Sequence, residues 1–379
     1  MSGIYLHIPF CKQACHYCDF HFSTSMKKKK EMMAMMVREI ALRSDWFSGS
    51  TPTVIETIYF GGGTPSVLDS ADLNFLLDTI NKHFKVGSSP EITVEANPDD
   101  LTSDYLKALS RTPVNRLSIG VQSFFEEDLR LMNRAHNATQ ALASVQMATD
   151  FFDSISLDLI YGIPGLTDEK WTHNINTALQ LGVSHISSYA LTVESKTALA
   201  HFVKKGIIPK PDDAQAQAQF LMIIDQLEAH DFVHYELSNF AKEGYFSKNN
   251  SAYWLGKPYL GIGPSAHSFN GAQRGWNVSN NSQYIHALHE NLLPLEVETL
   301  SLNDRYNEYV MTGLRTIWGV DLGRLETEFG PRFKTYFVQQ AASHLEQHLL
   351  YIDGEIVRTT RKGKFLSDGI ASDLFLLNL

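Results

Sequence analysis

Short apolar runs alternate with longer segments of helical periodicity through the first half of the chain. The runs are rich in β-branched and aromatic residues and end at glycine, proline or polar residues, as buried strands do. Helical periodicity fills intervals between them, most clearly over residues 69–84. Successive strand–helix units make the strands parallel, with the helices as crossovers. We predict six strands, at residues 4–8, 54–60, 91–95, 116–123, 154–160 and 185–190.

The number of strand–helix units predicts the architecture. Eight units close a full barrel, whereas six leave it open. We therefore predict an α/β fold with a partial (β/α)6 TIM-like barrel over residues 1–210. Residues 211–290 add a helix near 212–230 and a further strand, and we expect this extension to line the barrel mouth. Residues 291–379 are predicted to form a small, mainly helical C-terminal domain with a strand pair near 350–359, which is winged-helix-like.

The net charge and the length of the apolar runs limit which kinds of partner we expect. The chain has 379 residues, of which 44% are hydrophobic, and its formal net charge is −10. An acidic chain without a basic face is not expected to bind nucleic acid. No apolar run approaches the roughly 20 residues of a membrane span, and the first residues lack a signal-peptide pattern. We expect a cytoplasmic protein without a membrane span, which is compatible with a membrane-associated partner.

The three cysteines of the chain lie within eight residues, as Cys11, Cys15 and Cys18. Buried thiols that only fill space would be scattered, and an odd number of cysteines makes a poor disulfide framework. Structural zinc needs four ligands, and only His16 could be a fourth. Dense thiolates suit iron–sulfur chemistry. The spacing therefore predicts a [4Fe–4S] cluster on three cysteines, with one iron left open.

Polar residues and glycines follow several predicted strands. Residues 61–63 are a glycine run after the second strand, which lets a ligand approach the backbone and offers N–H donors. Taken alone, the run could also be a simple turn. Glu95 ends the third strand, where the alternative is a solvated carboxylate. Because the carboxyl ends of barrel strands meet at one mouth, these positions are candidates for ligand contact.

Three motifs resemble one family. The cluster loop with its flanks (HIPFC to CDF), the GGGTP sequence after the second strand and DLIYGIPG after the fifth are similar to radical S-adenosylmethionine (SAM) proteins. The match is to the branch that contains oxygen-independent coproporphyrinogen III oxidase and the HemW heme chaperones. The resemblance implies SAM on the open iron and an electron donor protein. It assigns contacts with SAM, or with a second cofactor molecule, to Tyr5, Tyr17, Gly62, Gly63, Thr64, Glu95, Gln122, Arg134, Asp158 and Ala190.

Three features separate the members of this branch. Phe20 occupies the place where the oxidases carry a further cysteine. The first strand begins within four residues of the start, so we expect no N-terminal lid of the oxidase kind. HemW-like chains carry H-N-x-x-Y-W, and here Asn249 replaces the histidine while Tyr253 and Trp254 remain. The resemblance therefore favours a HemW-like protein with an altered heme site.

The leading interpretation is a radical SAM protein that binds heme and delivers it to acceptor proteins. The alternative is an oxygen-independent coproporphyrinogen III oxidase of porphyrin biosynthesis, so enzymatic activity stays open. A cluster-bearing module without SAM chemistry would not need the SAM residues. Asparagine is not a usual heme-iron ligand. His267 is therefore kept as a candidate ligand, with Tyr253 and His7 as alternatives, although a lone histidine near a pocket is more often a hydrogen-bonding residue than a ligand.

Overall fold

Six parallel strands form the centre of the molecule. The computed structural model describes residues 2–47 and 53–377. Each central strand pairs in parallel with the next, and helices connect them, so the predicted α/β architecture is confirmed. The strands are β1 (Ser2–Ile8), β2 (Ile55–Gly62), β3 (Val86–Ala96), β4 (Arg116–Gln122), β5 (Ile155–Tyr161) and β6 (His185–Ala190).

Helices that pack on the outer face of the sheet supply the crossovers. Four of these six helices begin with a side-chain cap. Asp69 accepts from the N–H of Asp72, and Asn137 forms a capping box with Gln140. These helices are α1 (Lys29–Leu42), α2 (Ser70–His83), α3 (Ser103–Leu109), α4 (Glu126–Leu131), α5 (Ala138–Thr149) and α6 (Asp168–Gln180).

The central strands alternate between apolar and polar side chains. Ile4, Leu6 and Ile8 are fully buried in the core, whereas the intervening Tyr5 and His7 belong to the opposite face. Polar side chains from five strands line one small cavity of about 50 Å³, which requires the sheet to curve around it. They include Tyr59, Glu95, Ser118, Asp158, Ser187 and Tyr189. The curved sheet is thus a partial barrel with a polar interior.

Further strands extend the sheet at both edges. Beyond β6 lie the antiparallel strands β8 and β7, and on the other side β9 pairs in parallel with β1 and leads to β10, β11 and β12. The segment predicted as one extension therefore flanks both edges of the barrel. Strand β12 falls within residues 291–379 but belongs to the large sheet. The added elements are α7 (Ala198–Lys204), α8 (Asp213–Glu228), β7 (Phe232–Glu236), β8 (Asn239–Lys242), α9 (Lys248–Trp254), β9 (Tyr259–Ile262), β10 (His267–Phe269), β11 (Gln273–Asn277), α10 (Asn281–His289) and β12 (Leu295–Thr299).

Helix α9 packs against the N-terminal part of the central strands. The carboxylate of Glu91 on β3 accepts from the backbone N–H groups of Lys248 and Asn249 at 3.0 Å each. A carboxylate at a helix N-terminus also complements the helix dipole. The side chain of Asn249 is buried there and accepts from the Thr57 hydroxyl at 3.1 Å. Position 249 is therefore enclosed between α9 and the sheet.

A second hydrophobic core lies in the C-terminal part of the chain. Tyr306, Val310 and Phe337 are fully buried in it. A three-stranded sheet of order β13-β15-β14 accompanies the helices. The elements are α11 (Leu302–Leu314), β13 (Val320–Asp321), α12 (Leu322–Arg324) with a π-helical turn (Leu325–Phe329), α13 (Pro331–Glu346), β14 (Leu350–Asp353), β15 (Ile356–Thr359), α14 (Arg361–Lys364) and α15 (Ser367–Asp373). Nowhere in residues 2–47 and 53–377 is a helix long and apolar enough to cross a membrane.

A buried carboxylate holds the β9–β11 edge against α1. Glu39 and Arg43 are almost inaccessible to solvent, and Arg43 Nη1 donates to Glu39 Oε1 at 3.1 Å. Glu39 also accepts from the N–H of Gly263 at 2.8 Å, the amide of Asn277 at 2.7 Å and the hydroxyl of Tyr284 at 2.5 Å. Four donors, at the end of α1, just after β9, on β11 and on α10, thus converge on one carboxylate.

Candidate functional site

The cluster loop follows β1 at the barrel mouth. Cys11 is buried, and Cys15 and Cys18 are partly exposed; all three are free thiols. Burial, with a smaller contribution from the nearby Cys18 and Cys15, raises the pKa of Cys11 to about 11, while a hydrogen bond from Thr64 opposes this rise. The three thiols are therefore close enough to influence one another. A set of three adjacent thiols is the donor chemistry that iron–sulfur clusters take.

The described residues contain no group of three or more His, Cys, Asp or Glu side chains that could hold one metal ion. A cubane cluster does not require three side chains around one metal ion, because each of its cysteines binds a separate iron.

Gly63 lets the cluster loop pack against β2. A Cβ atom at this position would lie 2.7 Å from the carbonyl oxygens of both Ile8 and Phe10. The N–H of Gly63 donates to the carbonyl oxygen of Ile8 at 2.9 Å, and the N–H of Thr64 donates to that of Phe10 at 2.7 Å. The expectation that the glycine run offers free N–H donors is therefore wrong for Gly63. The Thr64 carbonyl accepts from the N–H of Val67 at 3.1 Å and the Thr64 hydroxyl accepts from the Asn97 amide at 3.3 Å, so the Gly63 carbonyl is the group left for a ligand.

Arg134 joins the cluster loop to the ends of β3 and β4. Its Nη1 lies 3.3 Å from both Cys15 Sγ and the Tyr17 hydroxyl. Its Nη2 donates to Asn97 Oδ1 and the Gly120 carbonyl at 2.7 Å each. Arg134 and Tyr17 thus hold the loop in place in addition to any ligand contact.

Gln122 marks a distortion at the end of β4. The residue has φ +71°, and the pairing with β5 changes register just before it. A non-glycine residue in this conformation is uncommon, and such strain concentrates at ligand sites. The predicted contact residue is therefore also the strained one.

Two carboxylates lie inside the mouth. Glu95 accepts from the Tyr59 hydroxyl at 2.8 Å, and Asp158 is 3.4 Å from the Ser118 hydroxyl. Burial raises the pKa of Glu95 to about 7 and that of Asp158 to about 6. Both groups can therefore change protonation near neutral pH, or be held ionised by hydrogen-bond donors from a ligand.

Two further predicted residues lie on the outer strands of the barrel. Tyr5 on β1 stacks on Tyr59, with ring centroids 6.1 Å apart. Ala190 ends β6 opposite Tyr161 of β5. The structure thus places these residues on β1 and β6, with the carboxylates on the strands between them. His267 lies on β10 beyond the first strand and lines the same large cavity as Tyr5.

His267 lines a larger cavity of about 740 Å³. This cavity begins at residues 19–21 of the cluster loop and reaches the C-terminal helix α11. Tyr253 and Trp254 form part of its walls. Sequence reasoning did not find its cations Lys257, Arg274, Arg305 and Arg324, which come from separate segments without a shared motif.

Comparisons with known proteins show to which class of proteins this fold belongs. Residues 5–178 match the Radical SAM superfamily, and residues 300–366 match the HemN C-terminal domain. The structure is similar to that of coproporphyrinogen III oxidase (HemN) from Escherichia coli, a radical SAM enzyme. The TM-score is 0.85 with 24% sequence identity, over 99% of this chain and 90% of that chain. The fold is therefore the radical SAM fold.

Sequence relatives narrow the class to a family. The heme chaperone HemW of Bacillus subtilis is 35% identical over 98% of this chain and 98% of its own length. The mitochondrial radical S-adenosyl methionine domain-containing protein 1 of Mus musculus is 30% identical over 97% of this chain and 86% of its own length. The chain belongs to the HemW family of the radical SAM superfamily, as the motifs predicted.

Proposed function

We propose that this protein binds heme and delivers it to acceptor proteins. The observation that carries the proposal is the cavity of about 740 Å³ between the cluster loop and α11. Heme combines a flat apolar ring, carboxylates and an iron. The cavity lining offers aromatic side chains such as Trp254 and Phe269, cations and the imidazole of His267. Close relatives are named heme chaperones, which supports the same ligand.

The cluster and SAM belong to the same proposal. Cys11, Cys15 and Cys18 hold the [4Fe–4S] cluster, and the mouth residues, among them Glu95 and Asp158, hold SAM. When bound, the reduced cluster supplies one electron to SAM. An electron donor protein is then required, and free thiols suit a reducing compartment such as the cytoplasm.

His267 is the imidazole best placed to bind the heme iron. Its ring is exposed, contacts Trp276 and has no hydrogen-bond partner within the described residues. His7 is less available, because its Nε2 donates to the His21 carbonyl at 2.8 Å and its Nδ1 lies 3.4 Å from the Tyr5 hydroxyl. Burial raises the pKa of Tyr253, which disfavours a tyrosinate ligand. Asn249 does not line the cavity.

A heme titration of the reconstituted protein tests this assignment. We expect His267→Ala to shift the Soret band and weaken binding, because the iron loses its protein ligand. Asn249→Ala serves as the matched control and should leave the spectrum unchanged. An unaltered Soret band in His267→Ala would refute this ligand and leave the cavity without an iron donor.

A turnover assay tests the alternative function. Phe20 is 68% exposed at the cavity rim, in the place of the cysteine that the oxidases carry. We expect no catalytic conversion of coproporphyrinogen III when the protein is incubated anaerobically with SAM and a reductant. Formation of protoporphyrinogen over many turnovers would replace the heme-delivery proposal with the oxidase function.

A further inference from the structure

The large cavity is lined by four cations and by three carboxylates, Asp19, Glu308 and Glu328, so its lining has one more positive than negative side chain. Arg274 forms an ion pair with Glu308 and lies 3.9 Å from Glu298. Arg324 pairs with Glu328 at 3.0 Å. Across residues 2–47 and 53–377, no carboxylate forms an ion pair with the other two cations of the cavity, Lys257 and Arg305.

Arg305 projects from the C-terminal domain into the cavity. It lies on α11, on the helix face that also presents Tyr309 and Thr312, because residues four and seven positions apart share a face. Its guanidinium carbon is 6.0 Å from the Phe329 ring, and the side chain is half-buried. A cation that is partly removed from water gains most from a carboxylate partner.

Lys257 lies on a different wall of the large cavity. It follows α9 and is exposed beside Trp254, which lines the same cavity. Within the described part of the chain, two cations without an ion-paired carboxylate therefore line a cavity that has aromatic walls, one from the loop after α9 and one from α11. This pattern fits a flat apolar ligand that carries two carboxylates.

We propose that Arg305 binds one propionate of heme and Lys257 binds the other. The inference rests on the proposed heme function. A guanidinium forms two parallel hydrogen bonds with a carboxylate, so Arg305 is expected to be the stronger anchor and to set the ring orientation. The C-terminal domain thereby selects porphyrins that carry carboxylates.

Hemin and hemin dimethyl ester separate charge recognition from ring packing. The ester keeps the ring and iron but lacks both negative charges. In the full-length reconstituted protein, Arg305→Gln should weaken hemin binding roughly tenfold to a hundredfold, and Lys257→Gln by less. Both variants should bind the ester within about twofold of the unmodified protein. Arg305→Lys should recover part of the hemin affinity, because it restores the charge without the paired hydrogen bonds.

Arg332→Gln is the matched control, since Arg332 is exposed on α13 and does not line the cavity. It should leave both affinities unchanged. If the unmodified protein binds hemin and Arg305→Gln binds it equally well, the anchor is refuted while the heme function stands. Equal losses for hemin and ester would show that Arg305 only shapes the pocket and would also refute the anchor. If the unmodified protein binds neither compound, the proposed function itself fails.

Discussion

Replacing Glu39 by glutamine tests how the cavity wall is held. The substitution keeps the shape of the side chain but removes its charge, which leaves the buried Arg43 guanidinium without its partner. Breaking a buried ion pair from one side costs about 3–5 kcal/mol. The new amide group also cannot accept from all the donors that Glu39 serves, among them Tyr284 and Asn277.

The expected loss can be expressed as a melting temperature. Unfolding entropy near the midpoint is about 2.1 cal/mol/K per residue, which is roughly 0.8 kcal/mol/K for 379 residues. A loss of about 4 kcal/mol therefore lowers Tm by about 5 °C. Thermal unfolding followed by circular dichroism measures this shift in the reconstituted protein.

Glu31→Gln is the matched control for this experiment. Glu31 lies on the same helix but is exposed, where it contacts His289 at 3.0 Å. Exposed ion pairs contribute about 0–1 kcal/mol, so Tm should fall by about 1 °C or less. If Glu39→Gln melts within about 1 °C of the unmodified protein, the buried network does not hold the β9–β11 edge as argued.

Three further predictions concern the barrel mouth. Alanine at Cys11, Cys15 or Cys18 should abolish the brown chromophore after anaerobic reconstitution, and a variant with full iron and sulfide content would contradict the ligand assignment. Asp158→Ala should weaken SAM binding by about 1–3 kcal/mol, measured by titration calorimetry; unchanged affinity would argue against the contact. The pKa of Glu95 is raised from 4.5 to about 7, so the native state without SAM keeps a proton that the unfolded state loses. Stability should therefore fall as pH rises through this window, and Glu95→Gln should reduce that fall; an identical pH dependence in the variant would refute it.

The central strands could be predicted because their pattern is local. Ile4, Leu6 and Ile8 alternate with polar residues, and strand β1 contains this run. The added strands β10 and β12 lacked such a signal. The first has three residues, and most of the second, from Glu296 to Thr299, is exposed. Their positions depend on pairing with β9 and β11, which the sequence does not reveal locally.

The candidate site likewise contains residues that the sequence could predict and others that it could not. The cysteines were found because one loop contains all three. The Glu39–Arg43 pair, four residues apart on a helix, has the spacing of an ordinary surface pair, and only the packing of β9–β11 shows that it is buried. Arg305 and Lys257 have no common motif, because the cavity brings distant segments together.

The central claim is that this chain holds one heme in the cavity between the cluster loop and α11. Absorbance titration of the full-length, cluster-reconstituted protein with hemin under anaerobic conditions tests it most directly. We predict a shifted Soret band that saturates at one heme per chain, with a weaker dissociation constant in Arg305→Gln and an unchanged one in Arg332→Gln. A Soret signal that rises without saturation would contradict this central claim, whereas equal saturation in all three proteins would leave heme binding intact and refute only the contact with Arg305.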